Sequence, residues 1–368
     1  MKDKHLNIVS FNVPYPANYG GVIDVFYKIK ALEKYGVKIH LHCFKYGRAE
    51  SKKLEKICET VYYYDRNMNW KNFISKIPFI VKSRTVKQLL KNLIQIDAPI
   101  LFEGLHSCAF LNHPDLNNKK QFVRTHNIEM NYYKLLFKHE RKIIHKIYLY
   151  FEYLKIKSFE KKINEAQHIF SISPKDQNHF SRLGRSSYIK AFHQDEKVTS
   201  NLGLGDYAIY HGNLTVSENE SSALFLIQKI FSQLKFPLII AGYKPSKKII
   251  TKANKYKHIK VIDSPKEENM NKLIENAQIQ LLPSMQDTGI KLKLLKSLFK
   301  GRHCIANKNT IYKTGLEHTC HNAENTNDWI LKIKELKKLP FTKEDYNKRS
   351  KYLKEFDSKI ETQKIINI

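Results

Sequence analysis

The chain has 368 residues, 42% of them hydrophobic, which is enough for the cores of two ordinary domains. Lys and Arg number 64 against 35 Asp and Glu, and the formal charge of +29 favours anionic partners: phosphorylated substrates, nucleic acid or an anionic membrane face. Five cysteines with no C-x-x-C pair exclude a disulfide scaffold and a zinc ribbon and fit a reduced, cytoplasmic protein.

The apolar run 6–11 predicts a buried strand, too short for a secretory leader. A loop follows, with Pro14, Pro16, Gly20 and Gly21. The spacing of Val22, Val25, Phe26, Ile29 and Leu32 predicts a helix over 22–35 that stops at Gly36. Short strands are expected at 37–44, 61–64, 100–102 and 122–125. The stretch 134–167 reads as one or two long helices, followed by a strand at 169–172 and a helix from Ser173-Pro174. Periodicity fades over 188–205, where the domain boundary is expected. No apolar run reaches the ~18 residues of a membrane span.

The pattern then restarts. Strands are expected at 207–210, 237–241, 258–262, 279–282 and 303–306, with helices over 220–231 and 267–276. Strands alternating with helices predict parallel sheets covered on both faces. The fold class is therefore α/β, with two Rossmann-like domains facing a cleft and ligands at the carboxyl ends of the strands. The expected division is 1–195 and 196–344, with a helix at about 345–368 packing back on the first domain.

One segment joins these levels. The strand 279–282 ends at Pro283, the turn Asp287-Thr288-Gly289 follows, and a helix opens near Ile290 with Lys291 and Lys293 in its first turn. Free N–H groups and the positive end of the helix dipole favour an anion there, so Thr288, Gly289, Ile290, Lys291 and Lys293 are candidate phosphate ligands. The alternative is an ordinary turn with solvated lysines. Asp287 suits a helix cap.

Several residues in chain order resemble the GT4 glycosyltransferases, which have the GT-B fold. Pro14-Tyr15-Pro16 with Gly20-Gly21 is similar to their acceptor loop. Arg124-Thr125-His126-Asn127-Ile128-Glu129 with Tyr132-Tyr133 resembles an R-x-H-N-x-E-x-x-Y-Y stretch of that family. Glu160, Ala166, Ile172-Ser173 and Asp176 resemble a further segment. His211-Gly212-Asn213-Leu214 with Glu218-Asn219 looks like a variant of the first loop of the second domain, and Ala241-Gly242 continues the series. The resemblance implies retaining transfer of a hexose from a nucleoside-diphosphate sugar, with no metal or other cofactor. The donor would sit on the second domain. A glycan or polyprenyl-linked acceptor would sit on the first, in bacterial surface polysaccharide or glycoprotein glycan assembly. Two positions depart from the family. Its two glutamates eight residues apart are Thr288 and Lys296 here, and a lysine cannot accept a hydrogen bond from a ribose hydroxyl. Its Arg and Lys after the first strand of the second domain are replaced by Asn213 and Asn219.

His126 is the first candidate catalytic residue, since the family places a histidine there against the donor sugar. Glu103, ending a short strand before Gly104, is the second: a carboxylate there would face the acceptor, or else serve the turn. Gly20 and Gly21 are candidates for close approach to a substrate phosphate or sugar, and Gly212 and Asn213 for the donor phosphate. His211 either reaches the same place or packs at the strand end. Glu129 is expected to orient the following helix or to pair with Arg124, and Asp24 to lie on a solvated face. The basic and apolar stretch 134–162 is either a core-facing helix with a solvated side or a surface resting on anionic lipid at the inner membrane face. A non-hydrolysing nucleotide-sugar epimerase and a non-catalytic partner protein are the alternative functions. Nucleic-acid binding has only the net charge in its favour, with no recognisable module.

Overall fold

The structure is a computed structural model and describes residues 4–285 and 292–367. The chain divides into two compact units: residues up to Phe192 together with the segment from Ser358, and His193–Asp357.

Unit 1 is built on seven parallel strands: β1 (Lys4–Ser10), β2 (Val37–Lys45), β3 (Thr60–Asp65), β4 (Ile100–Glu103), β5 (Gln121–Thr125), β6 (His168–Ser171) and β7 (Ser186–Tyr188). Their order is β3-β2-β1-β4-β5-β6-β7. The order reverses direction between β1 and β4, which makes the carboxyl ends of those two strands the switch point where such sheets take ligands. Ile8, Leu41, Ile100, Val123 and Ile169 are fully buried, as a sheet covered on both faces requires. The first helix, Gly20–Lys34, lays Val22, Val25, Ile29 and Leu32 on the sheet and ends at Tyr35-Gly36, where Gly36 takes φ +76°.

The stretch 134–167 proves to be two helices, Glu129–His139 and Ile143–Phe159. The break has a local cause: Glu140 leaves helical geometry, and its carboxylate accepts the N–H groups of Arg141 and Lys142. The edge strand β7 ends at Tyr188, where the sequence periodicity begins to fade.

Unit 2 carries six parallel strands: β8 (Ala208–Asn213), β9 (Leu238–Tyr243), β10 (Ile259–Asp263), β11 (Ile279–Leu282), β12 (His303–Ala306) and β13 (His321–Asn322), in the order β10-β9-β8-β11-β12-β13. Its switch point lies between β8 and β11. The helix Leu292–Lys300 packs Leu294, Leu295 and Leu298 inward. Helix Lys343–Leu353 belongs to this unit, and its Arg349 donates to the carbonyls of Gly301 and Arg302 at 2.5 Å each. The last helix, Ser358–Ile366, returns to unit 1, where Ile365 and Ile366 meet the apolar cluster under the first helix. No helix among the described residues is long and apolar enough to cross a membrane.

Candidate active site

At the switch point of unit 1 the sequence places charge where a core would be apolar. Asp24 and Lys28 lie one turn apart on the first helix, and the side chains of both are fully buried. The Lys28 ammonium donates to Asp24 Oδ2 at 3.0 Å and meets both Glu103 oxygens, at 2.8 and 3.0 Å. Arg124, on β5, forks onto the two Asp24 oxygens at 3.1 and 3.0 Å. Its remaining N–H groups donate to the carbonyls of Ile189, Ser171 and Lys190. The Phe192 N–H adds a bond to Asp24 at 2.8 Å. Burial alone would raise the Asp24 pKa, but the charges of Arg124 and Lys28, with His126, outweigh it and hold the carboxyl well below the usual range. Two carboxylates balance two cations, so the cluster is neutral and internally bonded. Removing one partner of such a buried set costs about 3–5 kcal/mol.

This overturns the expectation of a solvated Asp24. The register explains it: positions 24 and 28 flank the apolar stripe of 25, 29 and 32, and so turn toward the sheet. Glu103 is likewise corrected. Its carboxylate is fully buried beneath His126 rather than facing an acceptor, because Lys28 and His126 bind it from within.

His126 follows β5. Its Nε2 stands 2.9 Å from Glu103 Oε2, and since a carboxylate only accepts, Nε2 carries the proton. Nδ1 lies 3.9 Å from Asp24 Oδ2 and has no hydrogen-bond partner among the described residues. The side chain is 9% exposed. The Phe11 ring stands edge-on to His126, with centroids 5.5 Å apart, and covers Gly21: a Cβ on Gly21 would come within 2.6 Å of the ring. Gly104 takes φ +71°, which lets the chain turn after Glu103 while its N–H reaches the Arg124 carbonyl at 2.7 Å. The structure thus brings His126, Glu103 and Gly21 together at the carboxyl ends of β1, β4 and β5, while Gly20 borders open space. Asp24, Glu103 and His126 each offer a ligand atom within 4.8 Å of the others. The carboxylate oxygens a metal would take are already held by Lys28 and Arg124.

Beside this network lies a second, less compensated one. Glu129 does not pair with Arg124. It is buried at the start of its helix, with Oε1 3.9 Å from His106 Nδ1. Burial, then the nearby Glu160 and Asp176 charges, push its pKa up to about 8. His106 is driven the other way, well below its ordinary value, by burial and by the charges of Arg84, His126 and Arg66.

In unit 2, Gly212 and Asn213 end β8. Asn213 Oδ1 accepts from the Thr215 N–H at 3.1 Å and closes the turn, and its carbonyl accepts from Asn219 Nδ2 at 2.9 Å. The Lys293 ammonium donates to Asn219 Oδ1 and to the Tyr210 hydroxyl, both at 3.2 Å. It also lies 4.8 Å from the Tyr210 ring centroid. No carboxylate pairs with Lys293 among the described residues, and burial, opposed by Glu218, lowers its pKa to about 8. Asn213 and Lys293 are therefore linked through Asn219, whose amide also lies against Gly212: a Cβ there would come within 3.4 Å of it. Thr288, Gly289, Ile290 and Lys291 lie outside the described residues. His211 is the packed strand-end histidine: it is buried against Ser297 Oγ at 3.0 Å, and burial lowers its pKa to about 3.

The sequence reading missed Asp24, Lys28, Arg66 and Arg84. The first two had a signal in their four-residue spacing beside an apolar stripe. The arginines had none, since they come from separate short elements.

Comparison with known proteins adds the wider frame. No family model matches the chain. An uncharacterized 44.6 kDa protein in the cps region of Klebsiella pneumoniae is 27% identical over 334 residues, 84% of each chain. Anabaena HepE, solved with UDP and glucose, superposes with a TM-score of 0.68 at 11% identity, covering 99% of this chain and 98% of that one. A TarM variant from S. aureus, solved with fondaparinux, alpha-GlcNAc-glycerol and UDP, gives 0.66 at 10% identity, with 99% and 98% covered. The trehalose-phosphate synthase of Burkholderia xenovorans, solved with glucose-6-phosphate, gives 0.64 at 7% identity and 99% of both chains. With two Rossmann-like units of seven and six parallel strands and this whole-chain likeness, the protein has the GT-B fold.

Proposed function

We propose that the protein is a glycosyltransferase of GT4 type that moves a hexose from a nucleoside-diphosphate sugar to a glycan or lipid-linked acceptor in surface polysaccharide assembly. The observation that carries this reading is the whole-chain likeness to GT-B proteins such as HepE, whose structure holds UDP and glucose. The relative in a cps region supports the surface-polysaccharide setting.

In this reading unit 2 takes the donor. Lys293, with no carboxylate partner among the described residues and held beside the Gly212-Asn213 turn, meets the diphosphate and stabilises the leaving group as the glycosidic bond breaks. Unit 1 supplies His126. Glu103 acts on the sugar only through His126, fixing the ring by accepting from Nε2, while Lys28 fixes Glu103. Retention of configuration is carried over from the GT4 resemblance, and the chemistry uses no metal. A ribose contact other than the family's glutamate is required, because Lys296 stands at that position.

The test is a thermal-shift titration with UDP, GDP, CDP and dTDP. One nucleotide class is expected to raise the melting temperature, with about 2.7 kcal/mol of stabilisation at roughly 100 times its Kd. Lys293→Ala should weaken that nucleotide by about tenfold or more, the scale of one lost charge-assisted contact. Unchanged affinity in the variant would remove Lys293 from the donor site.

We further propose peripheral contact with an anionic membrane through the helix Ile143–Phe159. Ile143 is 75% exposed, Ile144 81% and Phe151 57%, beside Arg141, Lys142 and Lys146.

A further inference from the structure

Arg84 is 4% exposed, and among the described residues its guanidinium has only backbone acceptors: Nε donates to the Phe11 carbonyl at 2.9 Å and Nη1 to the Ile80 carbonyl at 2.5 Å. Arg66 donates from Nε and Nη2 to the hydroxyl of Ser83, the residue before Arg84, and its guanidinium lies 4.3 Å from the Tyr46 ring centroid. Neither arginine has a carboxylate within ion-pair distance among the described residues. Buried charges elsewhere in this unit are balanced with care, as Asp24, Lys28, Glu103 and Arg124 show. Two guanidiniums that act on one another, with no carboxylate partner among the described residues, suit an anion.

Among the described residues no carboxylate forms an ion pair with either guanidinium. Burial lowers the pKa of both arginines, to about 9 for Arg84, with Arg66 adding to the effect there. The charge of Arg84 acts in turn on Glu129, but burial still pushes that carboxyl up to about 8. Position ties the pair to the candidate active site, since Phe11, whose carbonyl holds Arg84, lies against both His126 and His106. On the other side, Arg66 lies 5.7 Å from the Phe79 ring centroid. Phe79 stacks on Phe73, and Phe73 meets Tyr148 of the helix with the exposed apolar face.

We propose that Arg66 and Arg84 form a binding site in unit 1 for a phosphate group carried by the acceptor, held beside the sugar-transfer site. This rests on the glycosyltransferase reading and adds the acceptor's chemical class to it. Planar guanidinium forks match phosphate oxygens in a bidentate manner. The phosphate comes either from a phosphorylated sugar or from a lipid-linked carrier whose chain follows the apolar side chains around Phe73.

The test is calorimetric titration of the full chain, with excess UDP present, using inorganic phosphate, glucose 6-phosphate, geranyl phosphate and glucuronate as probes. Wild type is expected to bind the phosphates, and Arg66→Gln to weaken them by about tenfold or more. The UDP affinity of that variant, measured separately, should stay within about a factor of two. Arg84→Lys, which keeps the charge and loses the fork, is a second variant in case Arg66→Gln unfolds the protein, and the same weakening is expected of it. Tighter binding of geranyl phosphate assigns a lipid-borne phosphate, and tighter binding of glucose 6-phosphate assigns a sugar phosphate. No heat with any phosphate, phosphate binding unchanged in both variants, or glucuronate bound more tightly than every phosphate overturns the proposal. Failure of UDP to bind, with Arg66-dependent phosphate binding intact, would count against the glycosyltransferase reading and leave the phosphate site standing.

Discussion

Glu129 shows how one buried side chain sets a pH dependence. Its pKa stands near 8 in the fold against an ordinary 4.5, so between those values the folded state holds a proton that the unfolded chain has released. The stability it contributes is complete below pH 4.5 and is lost as pH rises through 8. Glu129→Gln keeps a neutral side chain of the same shape and removes that titration. Melting curves from pH 5 to 8.5 should show the wild type losing stability relative to the variant, by a few kcal/mol in order of magnitude. Parallel curves would mean that Glu129 is ionised in the fold. Burial of this residue was not legible in the sequence. Glu129 opens a helix, and acidic residues in a first turn are ordinary caps. The same limit applies to Asp24 and Glu103: residue type and spacing marked them as charged groups near strand or helix ends, while their burial depends on partners 75 and 100 residues away in the chain.

At the level of elements the sequence was far more legible. Alternating apolar runs located most of the strands, and 279–282 and 303–306 match β11 and β12 residue for residue. Such runs are read locally, because a strand buried on both faces has almost no choice of composition. The short strands β7 and β13 escaped, since three and two residues carry no period. The helix Ile143–Phe159 buries Glu152 and Ile156 toward the unit and leaves Ile143, Ile144, Ile147 and Phe151 exposed, so part of its apolar surface is not spent on the core. If this face rests on lipid, the protein should float with vesicles of anionic phospholipid, weakly with neutral vesicles, and Ile143→Ser with Ile144→Ser should reduce flotation several-fold. Flotation equal on both vesicle types, or absent from both, removes the membrane contact. The link between Asn213 and Lys293 is legible only in part, because Asn219, which joins them, carried no signal beyond its place in the E-N pair.

The whole molecule repeats one solution twice. Each unit is a parallel sheet whose order reverses beside its first strand, and each puts its candidate residues at the carboxyl ends next to that reversal. Repetition of the βαβ pattern made this arrangement readable from sequence, whereas the charge of +29 does no more than favour anionic partners. In unit 1 the charges divide into a neutral buried cluster under His126 and an uncompensated arginine pair beside it. In unit 2 a lysine with no carboxylate partner among the described residues stands by the glycine turn. The proposed transfer gives each of the three a role, and the reading as a non-catalytic partner protein gives them none. The decisive measurement is therefore release of nucleoside diphosphate from UDP-, GDP-, CDP- and dTDP-sugars by wild type and by His126→Ala. The account predicts release from one nucleotide class, reduced by about a hundredfold in the variant. Binding of a nucleotide with no release from any sugar donor, or release that His126→Ala leaves unchanged, would contradict it.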